Sequence, residues 1–270
     1  MNLRRLSVYL STVAVVIAGC AFYISPDPTV STCINWNKAA ETLSACTTLI
    51  ESPDLGAEEL PVLLSKRAWA ARRLGDFDTA MSDIDRALAL QPDAPLLWVN
   101  RAFINDAQDK WTAADKDFER ALALAPENLF TIMDRAVILT GRGDYTGALR
   151  DYEQALEINP NSKRAMMGII RSLDDLEQHD DVLEWLAKAA VLWPDDAWFP
   201  TEMGVTHYVI SKDYLSALAA FEAVERIDPD NVANRVLLGA THLKLGNLDI
   251  GKTYIEQHAA QLAQSMETEG

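Results

Sequence analysis

Residues 135–161, RAVILTGRGDYTGALRDYEQALEINPN, read as two amphipathic helices joined by a tight turn. Ala136, Ala148 and Ala155 are small residues on surfaces that would face each other, so two helix backbones can approach closely there. Leu139, Tyr145 and Tyr152 are the large residues that fill the space beside them. Gly143-Asp144 supplies the turn, and Pro160 stops the second helix because it has no N–H to donate. A hairpin of this kind cannot bury its apolar surface alone and needs copies of itself on either side.

The copies recur at a period of about 34 residues. One step back, Ala102, Trp111, Ala114, Phe118, Ala121 and Pro126 hold the same places, and a further step back gives Ala68, Gly75, Phe77, Ala80, Ile84, Ala87 and Pro92. Forward, Ile170, His179, Val182, Leu186, Ala189 and Pro194 make a weaker fourth unit. Gly204, Tyr208, Tyr214, Ala217, Phe221 and Pro229 make a fifth, with one extra residue near its turn. Leu238, Gly239, Gly246, Leu248 and Gly251 open a sixth that lacks the closing proline. This array, residues 61–264, resembles the tetratricopeptide repeat (TPR) family. The resemblance implies an all-α fold: a right-handed α-solenoid of about six helix hairpins, preceded at residues 25–60 by a spacer and a half-repeat N-terminal cap and followed by a tail at 265–270. In the fourth unit Ile170 and Val182 replace the usual small residues, which predicts that it is the most easily opened part of the array.

Composition narrows the function. Lys and Arg number 24 against 40 Asp and Glu, a net charge of −16, which excludes a nucleic-acid binder needing a basic face for phosphates. It also excludes docking of the repeats on an anionic membrane; a membrane is met through the N-terminal segment only.

That segment opens MNLRRLSVYLSTVAVVIAGCAFYI, with Arg4 and Arg5 ahead of an apolar run. Residues 1–24 are expected to be a signal or anchor outside the fold. Ile17-Ala18-Gly19-Cys20 resembles a bacterial lipobox, with Cys20 the residue to be lipidated. Three readings stay open: a lipoprotein, placed first; an uncleaved anchor, since residues 6–24 are long enough to span a bilayer; and a simply cleaved signal. Each puts the repeats on the extracytoplasmic side, in a bacterium the periplasm, because Arg4 and Arg5 stay in the cytoplasm.

Aligned on the repeats, Cys33 falls near the place of Tyr208 and Cys46 near that of Ile84 or Tyr152, places that face each other across a hairpin. A Cys33–Cys46 disulfide is therefore expected in an exported chain, with two buried free thiols as the other reading.

Chemistry is not legible. No metal-ligand spacing, Gly-rich phosphate loop or Gly-x-Ser-x-Gly elbow occurs, so no enzyme, cofactor or metal is expected. The acidic run at residues 174–181 reads as a solvated turn with helix-capping aspartates.

The TPR resemblance implies a scaffold that holds a protein or peptide partner, for instance a helix, in a concave groove lined by the first helix of each pair. The inward places there fall on Lys66, Trp69 and Arg72, then on Val99, Asn100 and Phe103, then on Phe130, Met133 and Val137. Met167, Arg171, Trp198 and Tyr208 follow in the fourth and fifth units. The chaperone-binding members of the family carry a lysine, asparagine and arginine clamp. Here only Asn100 matches it, with Ser65, Trp69, Phe130 and Asp134 in the other places, and what remains is an apolar, aromatic groove with a basic mouth at Lys66, Arg72 and Arg73. The alternative function is an accessory or regulatory subunit of an envelope enzyme or an assembly machine that acts through self-association into a homo-oligomer.

Overall fold

A computed structural model describes residues 28–34 and 38–268, so the expected signal segment and Cys20 lie outside the described residues. Among the described residues every regular element is a helix, in the manner of an α-solenoid built from hairpins. The chain divides into two compact units, one ending at residue 131 and the other beginning at residue 132. In order, the helices are α1 (Pro28–Ile34), α2 (Ala39–Ile50), α3 (Leu60–Arg73), α4 (Phe77–Leu90), α5 (Pro95–Asp106), α6 (Trp111–Leu124) and α7 (Leu129–Gly141). Then follow α8 (Tyr145–Ile158), α9 (Lys163–Asp175), α10 (His179–Leu192), α11 (Trp198–Thr206), α12 (Tyr214–Ile227), α13 (Val232–Lys244) and α14 (Leu248–Thr268). α14 continues past residue 264, where the repeats were expected to end.

Every hairpin from α3 onward turns on one left-handed residue: Gly75, Asp109, Gly143, Glu177, Lys212 and Gly246, with φ between 53° and 83°. At Gly143 the hydrogen bonds are those of a Schellman turn. The Gly143 N–H donates to Thr140 and the Asp144 N–H reaches back five residues to Leu139. Asp144 then accepts from the Gly147 N–H at 2.9 Å, so one residue ends the turn and caps the next helix. The fifth hairpin carries the extra residue. It is absorbed as a π-helical stretch, His207–Ser211, and the Asp213 N–H reaches back six residues to His207 at 3.0 Å. At the fourth turn the N-cap is Gln178, which makes no side-chain cap. The expected capping aspartates are absent there; Asp180 and Asp181 lie instead in the first turn of α10, where the helix dipole favours them.

In the first unit the core is Leu64, Ala68, Ala71, Ala80, Ile84, Ala87, Leu97 and Ile104, with the alanines fully buried at helix contacts. Ahead of it, a Cys33–Cys46 disulfide ties α1 to α2, and both cysteines are fully buried beside Leu49 and Leu63. In the second unit glycine does the work of alanine where an aromatic ring leans in. A Cβ on Gly168 would lie 2.5 Å from the Tyr152 ring, and one on Gly204 would lie 2.5 Å from the Phe221 ring.

A second period-34 feature was not read from the sequence. Arg67 grips Asp83 with two hydrogen bonds of 2.6 and 2.7 Å, Arg101 grips Asp117 at 2.7 and 3.1 Å, and Arg135 grips Asp151 at 2.6 and 2.7 Å. Each is a bidentate pair between the two helices of one hairpin, with the carboxylate buried. The fourth hairpin has Ile169 and Trp185 in those places, and Ile169 is fully buried.

Candidate partner-binding face

α3 has the sequence LPVLLSKRAWAARR, four cations and no acid, within a chain of net charge −16. Arg67 turns toward α4 and Asp83. Lys66, Trp69 and Arg72 recur at the three-residue spacing that puts them on one face, and all three are half-buried. Burial pulls the Lys66 ammonium down to about 8. The Arg73 guanidinium lies over the Trp69 ring at 5.4 Å, and that of Arg72 over Phe103 of α5 at 5.5 Å. Phe103 in turn meets Phe118 edge to face at 6.0 Å. Burial, and then Arg73, lower the Arg72 pKa, while Asp106 opposes them. Asn100, the one residue shared with the chaperone clamp, donates its amide to Ser65 at 2.7 Å and so joins α5 to α3.

Thus the structure brings Lys66, Trp69, Arg72 and Phe103 together with Arg73. Val99, placed in the groove by the sequence, is 3% exposed and belongs to the packed side of α5. Phe130, at the start of α7, is 79% exposed.

In the second unit Met133 is 4% exposed and likewise packed inward, whereas Val137 is 43% exposed. Val137, Met167 and Arg171 share one depression of about 590 Å³, floored by Tyr152 and Gly168 and rimmed by Lys163 and Arg164. Lys163 is paired with Asp196. Arg171 lies 5.8 Å over Trp198, which stands edge-on to Phe199, in a smaller hollow that also holds Asp174 and Glu202. Burial, reinforced by Asp174, raises the Glu202 carboxyl against the pull of Arg171. Tyr208 lies apart, packed edge-on to Tyr214 beside the Ala217–Phe221–Leu238 core. Among the described residues no group of three or more His, Cys, Asp and Glu could hold a metal.

Two tetratricopeptide-repeat family models match the chain, over residues 67–129 and 139–197. The chain carries tetratricopeptide repeats. Among solved structures, the chain resembles PilF of Pseudomonas aeruginosa at 16% identity and TM-score 0.54, covering 80% of this chain and 100% of that one. The type IV pilus biogenesis factor PilW aligns at 18% identity and TM-score 0.52, over 76% and 94% of the two chains. YrrB, a TPR protein with an unusual peptide-binding site, aligns at 21% identity and TM-score 0.51, over 71% and 96%. At these identities the likeness is one of fold. No curated protein matches the chain.

Proposed function

We propose that this TPR chain is a non-catalytic scaffold that holds a protein or peptide partner against its first-helix face, tethered to a membrane through residues 1–24 with the repeats on the extracytoplasmic side. The observation that carries it is the state of Trp69 and Phe103. Both are large aromatic residues on the first helices of the first unit, half-buried, each with a guanidinium over its ring. Aromatic groups flanked by arginine are the residue types that anchor interfaces. The peptide-binding site of YrrB and the role of PilW in type IV pilus biogenesis support partner binding here. The lipobox-like Ile17-Ala18-Gly19-Cys20 supports the tether.

Crosslinking and pull-down from native membranes tests the scaffold. Substituting Trp69 and Phe103 by Glu should leave helicity intact and abolish capture of the partner. A folded double variant that still captures it would remove the face from consideration, and an unfolded one would assign both rings to the core. Cys20→Ala should abolish lipid labelling and release the protein from membranes. Retention would make the apolar run an uncleaved anchor.

A further inference from the structure

We propose that the face formed by Trp69, Arg72, Arg73 and Phe103 takes an acidic peptide segment bearing apolar side chains, its carboxylates on the two guanidiniums and its apolar groups on the two rings; this rests on the scaffold function proposed above and names the chemistry of the partner. Charge complementarity argues for it. The chain as a whole carries −16, so a partner attracted by the overall field would be basic. α3 reverses that sign locally, with four cations and no acid, of which Arg67 is closed on Asp83 inside the fold. Burial lowers the Arg72 pKa most and the neighbouring Arg73 lowers it further, against the pull of Asp106 on α5. Among the described residues neither is hydrogen-bonded to a carboxylate, in contrast to Arg67, Arg101 and Arg135, whose forks are closed on aspartates. Each guanidinium instead lies over an aromatic ring, at 5.5 Å for Arg72 and 5.4 Å for Arg73, a contact that spends no N–H on a protein acceptor. A bound carboxylate relieves the repulsion between the two arginines, and the rings offer the partner's side chains an apolar seat. The site differs from the chaperone clamp: Asn100 is engaged with Ser65 and takes no part.

The test uses the full chain purified in detergent and an end-blocked fluorescein-labelled hexapeptide, Glu-Glu-Leu-Phe-Glu-Glu, beside its Gln-Gln-Leu-Phe-Gln-Gln counterpart. Fluorescence anisotropy should show the acidic peptide bound about tenfold or more tightly than the neutral one, with the preference shrinking as salt rises. R72Q/R73Q should erase that preference while circular dichroism and the urea midpoint stay unchanged, and K116Q, in a separate hollow beside Asp85 and Arg101, should keep it. Equal binding of the two peptides overturns the acidic preference but leaves the scaffold standing. No binding of the acidic peptide overturns the proposal, while partner capture sensitive to W69E/F103E would still uphold the face. A concentration-dependent dimer lost in R72Q/R73Q overturns it in favour of a second copy, whose acidic turn at residues 174–181 carries the matching charge.

Discussion

The Asp213 N–H bonds to the carbonyl of His207 at 3.0 Å, one residue further back than the corresponding bond in the other hairpins, such as Asp144 to Leu139. One inserted residue thus becomes a π-turn without disturbing the left-handed closure, here at Lys212 with φ 53°. Three closures hold glycine and three hold Asp109, Glu177 and Lys212, whose Cβ atoms make that conformation unfavourable. Asp109→Gly, Glu177→Gly and Lys212→Gly should each stabilise the protein by about 0.5 kcal/mol, since relief of strain exceeds the added freedom of the unfolded chain. Gly143→Ala should destabilise it by about 1 kcal/mol. Urea midpoints check this, and destabilisation by the three glycine substitutions would refute it.

The bidentate pairs lead to a second expectation. Arg135→Leu leaves the buried Asp151 carboxylate without its partner and should cost about 3 kcal/mol. Replacing both residues by leucine should recover most of that loss, because the fourth hairpin already manages with Ile169 and Trp185 at these places. A double-mutant cycle in urea decides it, and additive losses would show that the pair is not the cause.

Gly168 lies so close to Tyr152 that alanine cannot enter without moving the ring. Gly168→Ala should destabilise the second unit by about 1–3 kcal/mol. Tyr152→Leu in the same chain should return part of the loss by vacating the space. A neutral Gly168→Ala, measured by the urea midpoint, would mean that the ring yields freely.

The hairpin repeat was legible because its signals are local. Gly143-Asp144 marks a turn, Pro160 a stop, and alanines at a fixed period mark close helix contacts. The Cys33–Cys46 pairing was legible because both fall on facing places of the same pattern. The face was legible less evenly. Val99 and Asn100 are neighbours some 100° apart around α5, so a one-residue error in placing the groove exchanges a packed residue for one at the surface. The Arg–Asp pairs were missed because Arg67, Arg101 and Arg135 look like solvated charges one at a time. Their recurrence with Asp83, Asp117 and Asp151, each sixteen residues on, was the signal available.

Cys33→Ser and Cys46→Ser should each destabilise the α1–α2 cap, and by the same amount, since either breaks the one bridge. The separation of 13 residues sets a loop-closure contribution of about 3 kcal/mol. Hydrogen exchange over α2 in the presence and absence of a reductant measures it. Wild-type protein under reductant should match the variants, and unequal variants would contradict a shared cause.

Lys66 gives the pH dependence its sign. Its ordinary pKa of 10.5 falls to about 8 in the folded chain because burial penalises the ammonium. Below pH 8 both folded and unfolded chains hold the proton, and the folded chain bears the full burial cost. Between about 8 and 10.5 the unfolded chain keeps its proton while the folded chain releases it, so the Lys66 contribution rises with pH and the penalty fades. Above 10.5 both are neutral and the cost is gone. Lys66→Met should therefore be more stable than the parent at pH 7, by at most about 3 kcal/mol. That advantage should shrink steadily from pH 8 to pH 10.5, while other groups titrate alike in both proteins and cancel. Urea midpoints of the two chains across this range provide the measurement. Parallel curves would show that the Lys66 ammonium reaches water in the folded chain and carries no burial cost.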